Sequence, residues 1–482
     1  MATEAVAAEG RSHGTLRREL RFWEAIAISI GIMAPTAAMA LNGVGVAANV
    51  GRAVPLLFIV ATIGVFFVSY GFVRLSAHYA HAGSVYAFSG ATLGPQAGFF
   101  AGWALLGTYL AFTAASASEI GLFFGNFLDG TGIWTDPEWV VIALVAAVLI
   151  GILAYGDIRV TTRALLSMEA ISVTLIVILI VVIFAKLIGG SPPGHGDISR
   201  DVFSLPEGVG TGAFGLGVVL AFLSFAGFEG AAALGEETDN PRREIPKAIR
   251  NAVLAAGIFY IICMLAQTWG FGTDAAGVAA FAGSASPLGD LGSSYVGSWM
   301  GDAINLGAAV SAFASSLGTA TGASRILYAM GRDGFGTSRL GTSSPRTGAP
   351  ATALVVVMTI AIAAIVGMRL NGTNVVNAFF YPGTIGVLSL LVAYVVTNVG
   401  AIKLFAFDRQ ERPWEMVISG LGIAFLLYVL WRNVSDQVYP YNHFWQLVAV
   451  WLLVGLGIVL AVPGLARRIG SGLARLEGEP SP

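Results

Sequence analysis

One interrupted hydrophobic stretch constrains this chain more than any other feature. Residues 211–247 read TGAFGLGVVLAFLSFAGFEGAAALGEETDNPRREIPK. The stretch opens as an apolar helix. At Ser224-Phe225-Ala226-Gly227-Phe228-Glu229-Gly230 it then carries glycines and a carboxylate where a membrane helix should be most uniform. Loose backbone and an ionisable group at bilayer depth are costly unless they face a cavity or a ligand. The first hydrophobic stretch, 22–50, has a matching defect at Gly31-Ile32-Met33-Ala34-Pro35-Thr36. Two broken spans in corresponding places point to a binding site between them.

Composition identifies the solvent. The 482 residues are 56% hydrophobic and 11% charged, against roughly 25% charged in soluble domains. So much apolar surface needs lipid around it. The net charge of -2 gives no footing for nucleic acid. The single cysteine, Cys263, sits in an apolar run and reads as a small buried hydrophobe. No metal-ligand cluster and no cofactor motif is apparent. The polar, basic first twenty residues lack the apolar core of a signal peptide.

Segments of about 20 apolar residues cross a bilayer. Twelve are expected, near 22–50, 53–77, 96–126, 138–156, 161–188, 211–235, 247–272, 301–329, 350–368, 373–404, 414–434 and 442–466. A short interfacial helix is expected at 83–95. Basic residues favour the cytoplasmic side. With the N-terminus inside, only Arg52, Lys186, Arg200, Arg369 and Arg432 of the 26 Lys and Arg fall outside. Both termini are therefore expected in the cytoplasm. The fold expected is all-α and polytopic. Spans one to five and six to ten form an inverted repeat, because an odd number per repeat reverses the second half. The divisions are a tail at 1–21, a first repeat at 22–188, an outer loop at 189–210, a second repeat at 211–404, two further helices at 405–466 and a tail at 467–482.

A broken helix leaves carbonyls unpaired on one side and N–H groups on the other, with partial charges to match. Two such breaks side by side can hold a carboxylate on the N–H groups and an ammonium on the carbonyls. Pro35 suits the first position of the outer half-helix. Thr36 and Ala37 would then supply the amide contacts.

At these residues the chain resembles the amino acid–polyamine–organocation transporter superfamily, which shares the leucine-transporter fold. The most specific matches are Ser224-Phe225-Ala226-Gly227-Phe228-Glu229 and the loop Glu236-Glu237-Thr238-Asp239-Asn240-Pro241 with Arg242 and Ile245-Pro246-Lys247. Gly83-Ser84-Val85-Tyr86, Gly98 to Trp103 with Tyr109, and Ser324-Arg325 to Gly334 also match. The resemblance implies a permease of the cytoplasmic membrane working by alternating access. Its substrate would be an amino acid held by Gly31 to Ala37 and by Leu223, Ser224, Phe225, Ala226 and Gly227. A neutral or zwitterionic amino acid is favoured; a polyamine or other organic amine, and exchange, are the alternatives. Leu223 stands where members often place an aromatic gate, which leaves Phe222 or Phe225 to gate instead. Thr108 replaces a common glutamate. The fifth span lacks its usual lysine, with Ser172 near that place and Glu169 one turn earlier.

Three carboxylates look embedded. Glu229 and Glu169 are candidates for proton coupling, and Arg163 is a possible partner for Glu169. Glu119, near the outer end of the third span, reads as solvated or paired. Ala312, Ser315 and Ser316 resemble the pattern with which sodium-coupled members hold their ion, which makes sodium the second choice after the proton. His78 and His81 read as solvated loop residues. A membrane-embedded enzyme or a channel would need catalytic clusters or filter repeats, and neither is present in the sequence.

Overall fold

The computed structural model describes residues 22–79, 84–156, 158–234, 238–344, 346–407, 412–435, 437–462 and 464–470. Gly83, His81, Glu236 and Glu237, the side chain of Arg163, the N-terminal tail and residues 471–482 lie outside the described residues, and with them the proposed Glu169–Arg163 pair. Among the described residues every regular element is helical.

Among the described residues the long helices group into twelve segments, which correspond to the expected spans. The first is split into Phe22–Met33 and Pro35–Val50, and the second is Val54–His78. Then come Pro95–Gly130, Trp139–Tyr155 and Ile158–Ile188 as the third, fourth and fifth. The sixth is Thr211–Leu223 followed by a 3-10 segment, Phe228–Leu234. The seventh to tenth are Pro241–Phe271, Ser298–Arg332, Ala351–Leu370 and Val375–Phe407. Glu415–Ser435 and Phe444–Ala461 complete the set. Among the described residues nine stretches are long and apolar enough to cross a membrane, one of them, Ser29–His78, holding two spans. Trp139–Tyr155 and Thr211–Leu223 are shorter apolar helices.

Proline and glycine set several boundaries. The seventh span begins six residues earlier than expected, because Asn240 takes a left-handed conformation (φ 50°) and hands Pro241 the first helical position. The third span starts the same way, at Pro95 after Gly94 (φ 103°), and runs on to Gly130. The interfacial helix is Ser84–Leu93. Two short helices not foreseen, Ala275–Gly283 and Pro287–Tyr295, pack against the Pro35–Val50 half of the first span. Asp274 caps the former by accepting from the Gly277 N–H at 2.7 Å. His78 is half-buried, its Nδ1 2.9 Å from the Arg74 carbonyl, so it is not a freely solvated loop residue.

The third span lies at the centre, 78% buried over its apolar window, and packs against the eighth and tenth. The twelfth, only 22% buried, lies at the periphery on the third. The second half of the first span, Pro35–Val50, packs on Thr211–Leu223 of the sixth, and its first half, Phe22–Met33, packs on the 3-10 segment of the sixth. The two breaks are thereby brought together inside the bundle.

Candidate substrate site between the broken helices

The first break is a single residue. Ala34 adopts φ 45°, ψ 63°, in the left-handed region, and Pro35 restarts the helix. The second is a full turn. The helix stops at Leu223, and Gly227 takes φ 107° before the 3-10 segment begins. A Cβ on Gly227 would run into the Ile32 side chain, so the close approach of the breaks requires glycine here. Ser29 stitches the two together. Its hydroxyl donates to the Phe228 carbonyl at 3.0 Å and accepts from the Ala231 N–H at 2.9 Å. Two groups that helix interruption would orphan are so satisfied.

Side chains from the surrounding spans take up the exposed amides. Thr36 N–H donates to Glu169 Oε1 at 2.9 Å, and Ala37 N–H to Ser311 Oγ at 3.2 Å. Glu169 thus places its carboxyl group at the positive end of the outer half-helix. Glu229 is 1% exposed and receives three donors. They are Tyr394 Oη at 2.5 Å, Tyr109 Oη at 3.1 Å and its own break's Gly227 N–H at 3.2 Å. The sixth break is thereby tied to the third and tenth spans. Glu169 Oε2 is buried without a hydrogen-bond partner.

A cavity of about 40 Å³ lies between the breaks, room for a few waters. Of the residues expected to bind substrate, Ile32, Met33, Ala34, Ala37, Leu223 and Ala226 line it. Gly31, Pro35, Thr36, Ser224, Phe225 and Gly227 are not on its wall. Ser224 Oγ instead accepts from Asn42 Nδ2 at 2.7 Å. Phe225 packs edge-on against Tyr260, with ring centroids 5.0 Å apart, and Phe222 turns toward Tyr394 and Phe425. Neither ring covers the cavity. The aromatic rings on its wall are Phe112 and Phe379.

The remaining candidates divide. Ser315 lines the cavity and donates to the Ile32 carbonyl at 3.2 Å, whereas Ser316 donates to Thr113 O on the third span at 3.1 Å. Ser172 bonds back to the Met168 carbonyl and rests against Gly307, off the cavity. Thr108 donates to Ala104 O and Gly386 O, both at 3.1 Å.

Sequence reasoning placed Glu119 among the embedded carboxyl groups but misread its surroundings. Glu119 is 3% exposed and part of the wall, not a solvated outer residue. Asn42 and Ser116 accompany it.

Residues 20–460 match the family model described as amino acid permease. The chain belongs to the amino acid permease family. Among its relatives, this permease is 28% identical to the branched-chain amino acid permease BcaP of Bacillus subtilis (strain 168), over 92% of each chain. It is 27% identical to the low-affinity putrescine importer PlaP of Escherichia coli (strain K12), over 90% of this chain and 92% of that one. It is also 28% identical to the vacuolar cationic amino acid transporter 2 of Arabidopsis thaliana, over 72% of this chain and 55% of that one. The permease is thus a multi-pass membrane protein of a transporter family, in keeping with the resemblance to the amino acid–polyamine–organocation superfamily.

Proposed function

We propose that the permease is a secondary transporter that carries amino acids or closely related organic amines across the cytoplasmic membrane by alternating access. The observation that carries this reading is the abutment of two helix breaks on one small internal cavity. Relatives named for branched-chain amino acids and for putrescine support the substrate class. The distribution of Lys and Arg supports cytoplasmic termini. No bond in the substrate is made or broken.

Protons are the proposed drive. Glu169 and Glu229 each hold one break to a neighbouring span through hydrogen bonds that their carboxylates accept. Proton addition to either removes the charge that its donors and the half-helix end attract. The link to that break then weakens, which couples proton entry to rearrangement. Ser315 and Ser316 give sodium less support, because their hydroxyls bond to different spans.

The test is uptake into proteoliposomes of labelled leucine and labelled putrescine, with and without an inward proton gradient. Saturable uptake of either substrate, accelerated by the gradient, is expected. Linear flux of both, indifferent to unlabelled substrate on the far side, rules the reading out.

A second reading, transport of cationic amines in preference to zwitterions, is favoured by Glu119 on the cavity wall.

A further inference from the structure

Two acceptor oxygens on residues of the cavity wall are buried without a partner, Glu119 Oε1 and Asn42 Oδ1. Glu119 is 3% and Asn42 1% exposed. Several donors beside them are already engaged, Asn42 Nδ2 through one of its two hydrogens. Asn42 Nδ2 is bonded to Ser224 Oγ at 2.7 Å. Ser116 Oγ donates to Ser315 Oγ, and Ser315 Oγ to the Ile32 carbonyl, each at 3.2 Å. At the breaks themselves, the Thr36, Ala37 and Gly227 amides are taken by Glu169, Ser311 and Glu229. A substrate carboxylate entering this site would have to displace a resident side chain from one of those amides. A donor-rich cation would displace nothing and would satisfy both empty acceptors.

We propose that a primary ammonium group binds between Glu119 and Asn42, and that the preferred substrate is a cationic aliphatic amine rather than a zwitterionic amino acid. This deepens the transport reading and rests on it. Met33, Leu223, Phe112 and Phe379 supply apolar wall for the alkyl body, and the two rings add faces that attract a cation. Glu119 and Asn42 then set the substrate class. Because recognition runs through N–H donors, a primary amine is accepted and a quaternary one is not.

The test is a thermal-shift series on the purified permease with four probes: leucine, 3-methylbutylamine, putrescine and choline. The second probe has the carbon skeleton of leucine without its carboxylate, so the pair isolates that group. 3-Methylbutylamine and putrescine are expected to stabilise the wild type at concentrations at least about tenfold below leucine, and choline not at all. Glu119→Gln, eluting as the wild type does on gel filtration, should weaken the amine response by about thirtyfold or more. Asn42→Ala should weaken it less, and Glu119→Asp should restore part of it. Leucine binding more tightly than 3-methylbutylamine overturns the assignment while leaving transport standing. So does an amine response unchanged in both Glu119→Gln and Asn42→Ala. Stabilisation by none of the four also overturns it, and counterflow of labelled leucine or putrescine then decides whether the transport reading survives.

Discussion

Glu169 and Glu229 show how differently two buried carboxyl groups can be supported. Three donors converge on Glu229, while Glu169 leaves Oε2 without a partner. In Glu169→Gln the amide oxygen can still accept from Thr36, but the proton-binding group is gone. Proton-driven uptake should fall to the level seen without a gradient, while exchange of substrate across the membrane persists. The same comparison applies to Glu229→Gln, which also forces an NH2 group toward donors that need an acceptor. Gradient acceleration intact in both variants contradicts the coupling scheme. Gly227→Ala tests the close approach of the breaks. Its φ of 107° and the Ile32 side chain in the path of a Cβ both oppose alanine. A loss of about 1–3 kcal/mol is expected, read as a lower unfolding temperature in detergent.

Which residues could be read from the sequence follows from their chemistry. Pro35, Gly227 and Glu229 stood out because proline, glycine and an acid are conspicuous inside an apolar span. Glu119 also stood out as an embedded acid, but its place on the cavity wall did not, because that depends on how far the third helix extends. The helix runs to Gly130 rather than to 126, so Glu119 lies 11 residues, about 16 Å, from its end. Asn42 and the engagement of Thr36 by Glu169 depend on neighbours 182 and 133 residues away. No local pattern carries such pairings.

At the scale of elements, most span limits were legible to within a few residues, the start of the seventh at Pro241 being an exception. Packing partners were not. The twelfth span shows why. Trp103 and Trp451 stack with ring centroids 4.4 Å apart. Each indole N–H donates to the other's carbonyl, at 2.8 and 3.0 Å. Gly107 lies against the Trp451 ring and Gly455 against the Trp103 ring, so each glycine opens the space its partner's indole fills. In sequence these are two glycines and two tryptophans 348 residues apart. Gly455→Val should expel the Trp103 indole from this seat and cost about 1–3 kcal/mol. The check is a lower melting temperature together with a red-shifted tryptophan emission in that variant. An unchanged spectrum and melting temperature would mean that the stacked pair does not hold the twelfth span.

The molecule as a whole sets the intact third span at its centre, with the two helix breaks meeting beside it. The third span packs against the eighth and tenth. Glu229 ties the sixth break to the third and tenth. Ser311 of the eighth and Glu169 of the fifth hold the first break, and Ser29 joins the breaks to each other. These links are few and polar, so they can open without disturbing the apolar packing of the outer spans. Rearrangement of this kind would make the cavity, small in the state described, large enough to admit a substrate. The most direct measurement is counterflow in proteoliposomes preloaded with unlabelled putrescine or leucine and supplied with the labelled compound outside. The account predicts saturable uptake of at least one of them, transiently concentrated above equilibrium by the internal pool. Flux of both that is linear in concentration and blind to the internal pool would contradict a carrier of amino acids or amines.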